Sequence, residues 1–430
     1  MIYHNSPKTH LNNNLGRLST SATIAIQQLC RQLQQEGKTI YRLGLGQSPF
    51  PVPAPVVRAL QENAHQKDYL AVKGLEELRR TLAASHCASY GIGCDIEDVI
   101  IGPGSKELMF ILQLVYDGEI LIPIPAWVSY APQARIIGRH VNNIVTEKKD
   151  RWKVTAEQID SICRLDPGRS RMLILNYPSN PTGQTYDANE LEELAEVVSK
   201  YQVLVLSDEI YARMTFSGKH TSIIDYYPEG TIFSGGLSKW CGAGGWRLGL
   251  FIVPEAMRWI TNAMATVASE TFTSTSAPIQ YAAIAAFEEN PEIDIYVDRC
   301  RRILGALAGD ITRRLAKTDI DVIPAQGGFY IFPDFGNYRL RLEKRHIFTS
   351  AELCDELLHE TGVAILPGSD FGRPVTELTA RLAFVDFDGE KALRDYPGDD
   401  GLDQSYLATC CTNTLTGIER IIEWLGALDE

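Results

Sequence analysis

Between residues 99 and 253, short apolar or β-branched runs alternate with helical patterns, and this alternation leaves few folds open. The runs cover 99–101, 119–122, 140–145, 172–175, 203–206, 231–233 and 248–253, and helical patterns such as 106–115 and 188–200 separate several of them. Strands with one wet face alternate polar and apolar side chains, whereas strands covered on both faces are continuously apolar. Helical crossovers join parallel neighbours. The pattern predicts an α/β fold, with a mostly parallel seven-stranded sheet flanked by helices.

The flanks read differently. Residues 17–36 carry Ile24, Ile26, Leu29 and Leu33 on or near one helical face, with Gly37 as a stop. Residues 41–46 lead into the loop Q-S-P-F-P-V-P, followed by helices over 55–64 and 74–90. Beyond residue 290 come a long amphipathic helix (293–314), a strand-like run (327–332), a helix (350–361) and strands at 363–366 and 381–384. That order predicts a smaller α+β domain. A chain of 430 residues exceeds what one core organises, so more than one domain is expected. The predicted parts are an N-terminal arm and part of the small domain at 1–46, a large domain at 47–290 and a small C-terminal domain at 291–430. Residues 390–410 include the acidic stretch R-D-Y-P-G-D-D-G-L-D-Q-S-Y, which reads as an insertion forming a flexible surface loop before a last helix at 415–425.

A net charge of -13 argues against nucleic acid or an anionic membrane surface as partner. No run approaches the ~18 apolar residues of a membrane span. Residues 1–15 are polar and Asn-rich and lack the apolar core of a secretory signal. The nine cysteines form no C-x-x-C pair, so neither zinc nor a disulfide framework is indicated. Reduced thiols and a cytoplasmic location are expected. Cys241 reads as a packing residue.

Chemistry gathers at the predicted strand ends, where open α/β sheets bind ligands. Gly102-Pro103-Gly104-Ser105-Lys106 joins a strand to a helix whose first amides can hold a phosphate. Glu107 stands where a dinucleotide fingerprint needs its third glycine, which disfavours an NAD oxidoreductase. The string N-Y-P-S-N-P-T-G (176–183) fixes a loop bearing Asn180. Asp208 ends an apolar strand and needs a cationic or hydrogen-bonding partner, for which a pyridinium nitrogen would serve; Tyr211 follows. Lys239 sits in the Gly/Ser-rich string S-G-G-L-S-K-W-C-G-A-G-G-W-R-L-G with Arg247 eight residues on, an arrangement suited to a Schiff-base lysine beside a phosphate. Singly, an Asx turn, a capping aspartate or a solvated loop lysine would explain each piece. Jointly and in this order they have no such explanation.

With these strings the chain resembles the fold-type I pyridoxal-phosphate aminotransferases of class I/II. P-A-W-V-S-Y (125–130), G-L-E-E-L-R (74–79), G-G-F-Y-I-F (327–332) and L-P-G-S-D-F-G (366–372) extend the resemblance over roughly 17–390. It implies pyridoxal 5'-phosphate as cofactor, with Lys239 forming the Schiff base and moving the proton. Asp208 would hold the ring nitrogen, Asn180 and Tyr211 the ring hydroxyl, and Trp127 the ring face. Arg247, Gly104, Ser105, Lys106 and Ser238 would surround the phosphate. Arg381 would bind the substrate α-carboxylate, and Gly46 would touch the substrate. Tyr69 would reach the phosphate of a neighbouring subunit, which implies a homodimer. Many members carry serine three residues before the lysine; Gly236 stands there, leaving Ser238 or Ser234 to supply the hydroxyl.

The implied reaction is ping-pong transamination between an amino acid and a 2-oxo acid, with 2-oxoglutarate or glutamate as one partner. A carbon–sulfur β-lyase on the same fold is the alternative. A cofactor-sensing transcription regulator would need a DNA-binding domain, and only about 16 residues precede the match. Arg17, Ser19, Gln47 and Phe371 are expected around the substrate side chain. Dicarboxylic and aromatic donors both stay open, with a lean to the dicarboxylic on family frequency.

Overall fold

The computed structural model describes residues 21–91, 93–398 and 401–429. Helix α1 (Ala22–Gln35) and the two-residue strand β1 (Tyr41–Arg42) come first. Helices α2 (Ala54–Asn63) and α3 (Glu76–Tyr90) follow, the latter ended by Gly91 in the left-handed region at φ 67°. The alternating part then runs β2 (Val99–Gly102), α4 (Ser105–Val115), β3 (Glu119–Ile124), α5 (Tyr130–Ile136), β4 (Val141–Val145) and α6 (Ala156–Leu165). It continues through β5 (Arg171–Asn176), α7 (Ala188–Lys200), β6 (Leu204–Asp208), β7 (Thr231–Gly236) and β8 (Gly249–Ile252). Helix α7 starts where its sequence says, because Asp187 and Glu190 cap each other's backbone amides.

These strands form one seven-stranded sheet in the order β2-β8-β7-β6-β5-β3-β4. Only β8 runs against its neighbours, pairing antiparallel with β2 and β7. The predicted α/β fold with a mostly parallel sheet is therefore present. Successive strand residues serve opposite faces. Ile100, Ile122, Ile174, Leu206 and Phe251 join one apolar cluster with α4, α5 and α8 (Arg258–Ser269). Leu121, Leu173 and Val205 face α6 and α7 on the other side. Val99, Ile101, Leu250 and Ile252 join a further cluster with α3, α9 (Ala277–Phe287) and the 25-residue α10 (Pro291–Leu315).

The C-terminal part holds β9 (Tyr330–Ile331), α11 (Arg339–Lys344), α12 (Ser350–Thr361), β10 (Val363–Ala364), β11 (Leu366–Pro367) and β12 (Ala380–Ala383). Strands β11, β12 and β9 form a small antiparallel sheet, and β10 pairs in parallel with β1, far back in the chain.

Three local readings need correcting. The run 248–253 shortens to Gly249–Ile252: Gly244–Trp246 is a 3-10 turn and Arg247 is left-handed at φ 57° just ahead of it. The run 327–332 shortens to β9 because Gly328, at φ 68°, turns the chain just before it. The 390–410 stretch is not loop throughout. Helices α13 (Gly389–Arg394) and α14 (Gln404–Cys410) hold its two ends ahead of α15 (Thr412–Gly426), with Ala392, Leu407, Cys410 and Cys411 buried, whereas Asp395 and Asp403 between them are exposed. Acids cap both helices: Asp388 accepts from the Lys391 amide and Asp403 from the Tyr406 amide.

Candidate active site

The carboxyl ends of β5 and β6, the start of α4 and the turn after β7 surround a cleft of about 580 Å³. Gly46, Ser105, Lys106, Trp127, Asn180, Asp208, Tyr211, Ser238, Lys239 and Arg247 line it, as does Gln47. Lys239 is half-buried and donates to the Gly46 carbonyl at 2.8 Å. Asp208 is buried and accepts from the Tyr130 hydroxyl at 2.5 Å and from the Ile210 amide at 3.4 Å. Burial raises its pKa from 3.8 to about 6, with Tyr130, the Ile210 amide and Lys239 acting in the other direction. A buried carboxylate hydrogen-bonded to a phenol and an amide, with no cation ion-paired to it among the described residues, fits a protonated ring nitrogen.

A second cradle lies at the start of α4. Gly104 is at φ 93°, and a Cβ built there would stand 2.1 Å from Nη2 of Arg247. Among the described residues Arg247 donates to the carbonyls of Gly244 and Pro103. The backbone at Gly104 and Ser105 and this guanidinium thus meet where an anion finds both amides and a positive charge. Lys106 lies with its amine 5.3 Å from the centre of the Trp127 ring, and its pKa is lowered by burial and by Arg247. Together the two cradles fit a pyridine ring carrying a phosphate.

The opposite wall binds differently. Arg381 is only 1% exposed and sits just behind the cleft surface, between the rings of Tyr330 (4.7 Å) and Phe371 (4.9 Å). It donates to Oδ1 of Asn180 at 3.0 Å and to the Gly44 carbonyl. Its Nε is buried without a partner among the described residues. An arginine held by neutral acceptors with a donor to spare is prepared for a carboxylate. Tyr330 also meets the Tyr211 hydroxyl at 2.9 Å, and burial together with Tyr330 raises the Tyr211 pKa. Gly46 is glycine for contact reasons, since a Cβ there would fall 1.8 Å from the Tyr330 oxygen.

The glycine at 236 also has a physical reason. A Cβ there would lie 2.7 Å from the Leu248 carbonyl of the adjacent chain segment, so a serine is shut out. Of the two candidate hydroxyls, Ser238 lines the cleft, while Ser234 is fully buried in β7 and does not. Tyr69 is 90% exposed and does not line its own chain's cleft. Arg17 and Ser19 lie outside the described residues. Tyr130 and Tyr330 lie inside strings that carry the resemblance, yet sequence reasoning gave neither a role. Their signal was position: three residues after Trp127 in P-A-W-V-S-Y, and inside G-G-F-Y-I-F.

The profile of the family described as aminotransferase class I and II matches residues 38–385. An aspartate aminotransferase of Geobacillus stearothermophilus is 33% identical over 376 residues, covering 85% of this chain and 92% of that protein. An asparagine–oxo-acid transaminase of Streptococcus mutans is 30% identical, covering 85% and 93%. The solved aspartate aminotransferase of Thermus thermophilus with maleate superposes with a TM-score of 0.82 at 26% identity, covering 96% of this chain and 99% of that one. Relatives of this kind are transaminases and none of these names is that of a lyase. A family profile running through most of the sequence, laid over a cleft that fits the ring and phosphate, makes this chain a member of the class I and II aminotransferases, which are pyridoxal-phosphate-dependent enzymes.

Proposed function

We propose that the protein moves the amino group of a dicarboxylic amino acid or its amide to a 2-oxo acid such as 2-oxoglutarate, the two substrates using one cleft in turn. The observation that carries this reading is Arg381, buried with an unfilled Nε donor and no carboxylate on it among the described residues. Of the other cations, Lys239 is held at Gly46 and Arg247 at the Gly104 cradle. Lys106 is left to meet a second carboxylate or amide, as well as contributing to the phosphate side. The names of the relatives, and the dicarboxylate maleate that accompanies the Thermus enzyme, support the same substrate class.

When bound, pyridoxal phosphate supplies an electron sink for charge at the substrate Cα and stores the amino group between half-reactions. The remaining work belongs to the chain. Arg381 orients the substrate through its α-carboxylate. The Lys239 amine takes the proton from Cα and returns it on the other side of the exchange. Asp208, oriented by Tyr130, holds the proton on the ring nitrogen. Asn180 and Tyr211 would hold the ring hydroxyl, Trp127 would cover the ring face, and Gly104, Ser105, Ser238 and Arg247 would hold the phosphate.

The exposed Tyr69 fits a homodimer in which it completes the neighbouring cleft. The division into 1–46, 47–290 and 291–430 belongs to the same reading. All nine cysteines are free, which supports a reducing, cytoplasmic setting. Among the described residues no helix is long and apolar enough to cross a membrane. The test is the absorption of the bound cofactor against a panel of single amino acids. Aspartate, asparagine or glutamate should change the cofactor band, and a 2-oxo acid should reverse it. Conversion by aromatic donors alone would overturn the substrate class, and ammonia release without an acceptor would overturn transamination.

A further inference from the structure

Glu209 follows Asp208 directly, yet it lines a separate cavity of about 370 Å³ between α3 and the sheet, not the cleft. Its side chain is fully buried. Five donors converge on it. Oε1 accepts from Ser207 at 2.9 Å, from Tyr177 at 3.4 Å and from Ser222. Oε2 accepts from Tyr90 at 3.2 Å and pairs with Nε2 of His220 at 2.7 Å. The His220 ring stacks on Tyr177, with centres 5.3 Å apart and planes 20° from parallel, and its Nδ1 has no partner among the described residues.

A buried charge with this many donors is costly to place and needs a reason. Two of the donors come from the segments that carry the cleft. Ser207 precedes Asp208 on β6. Tyr177 belongs to the loop of Asn180, and in that loop Asn176 bonds both the Asp208 carbonyl and the Asn180 amide. Tyr90 ends α3. The network thus fixes the Asp208 turn from behind while putting a second negative charge one residue from it.

We propose that His220 and Glu209 form a positioning pair, which pins the Glu209 charge on the far side of the β6 end so that Asp208 stays an anion for the ring nitrogen of the cofactor. The proposal rests on the reading of Asp208 given above. The groups facing Asp208 are Tyr130, Lys239 and Glu209; those facing Glu209 are His220, Tyr90 and Tyr177, with His86 and Asp225 nearby. In keeping with the geometry, Glu209 acts on Asp208 in the direction of a raised pKa, while His220, Ser222 and Ser207 hold Glu209's own pKa down against burial.

The experiment is the pH dependence of the dissociation constant for added pyridoxal phosphate, measured on cofactor-free protein by absorption and tryptophan fluorescence. Affinity should fall as the pH drops through a midpoint near 6, where Asp208 takes up its proton. His220→Asn should move that midpoint up and Glu209→Gln should move it down, each by about half a pH unit, or roughly threefold in proton affinity. The double variant should behave like Glu209→Gln, and Tyr90→Phe, a milder change, should shift the midpoint slightly upward. A purely structural role predicts weaker binding with the midpoint unmoved, or both variants shifting it the same way, and either result overturns the pair. Asp208→Asn separates the two ideas. If the midpoint survives in that variant, the reading of Asp208 itself falls. If it vanishes there while the His220 and Glu209 variants leave it in place, only the pair falls.

Discussion

The two walls of the cleft are assembled in opposite ways. The wall that fits the cofactor comes from strand ends and the turns directly after them: Gly104 and Ser105 after β2, Asn180 after β5, Asp208 on β6, Ser238 and Lys239 after β7. Each group sits in a short string of its own, although distant partners steady some of them: Tyr130 bonds Asp208, and the Gly46 carbonyl accepts from Lys239. The wall that fits the substrate has no such local origin. Arg381 on β12 bonds Gly44 and Asn180 and stacks on Tyr330, partners separated by up to 337 residues. One wall is written in short strings, whereas the other exists only once the chain has closed on itself. Substitutions should therefore separate cofactor binding from substrate binding.

The largest expected effect is Lys239→Ala, which removes the amine that moves the proton. Turnover should fall by roughly 10⁴-fold or more while the protein stays folded, as single-turnover absorbance can check. Arg381→Lys should lower kcat/KM by about 10²-fold, mostly through KM, because an ammonium cannot reproduce the paired donors. Its cofactor affinity should stay within about twofold. Loss of cofactor in this variant would mean that the walls are not separate.

Asp208→Asn sharpens the contrast from the other side. Cofactor affinity and kcat should both drop, by about tenfold or more. The cofactor-free protein should nevertheless become more stable. With a folded pKa near 6 against the ordinary 3.8, Asp208 contributes stability fully present below pH 3.8 and lost as the pH rises through about 6. That interval corresponds to about 3 kcal/mol, so the variant should gain on that order at pH 8 and nothing near pH 3.5. Denaturant melts at the two pH values read the difference. The smallest effect is Tyr330→Phe. It removes one hydroxyl partner at 2.9 Å from Tyr211 and should cost about 0.5–1.5 kcal/mol, seen as an up to tenfold change in kcat/KM.

The same contrast explains what could be read from the sequence. The seven-stranded sheet was legible because most of its strands are runs of apolar residues, and the cofactor-side residues because each sits in a string with its own turn chemistry. Arg381 was found through the resemblance, since R-L-A-F by itself carries no signal. Tyr130 and Tyr330 went unassigned because their partners, Asp208 and Tyr211, lie 78 and 119 residues away. The 390–410 stretch was read as loop throughout because charge pattern alone does not show that helices capped by Asp388 and Asp403 hold its two ends.

The pairing of β1 with β10 sets an order in time. Tyr41 and Arg42 emerge early from the ribosome, but their partners Val363 and Ala364 follow 322 residues later, as 363 minus 41 gives. At roughly 5–20 residues per second the delay is tens of seconds. Through that interval the Gly44 carbonyl lacks Arg381, and the stretch holding Gly46 has no Tyr330 beside it. A nascent chain can thus complete the sheet and the cofactor-side wall while the substrate-side wall is still missing, and the cleft becomes selective only once Tyr330 and Arg381 have been made.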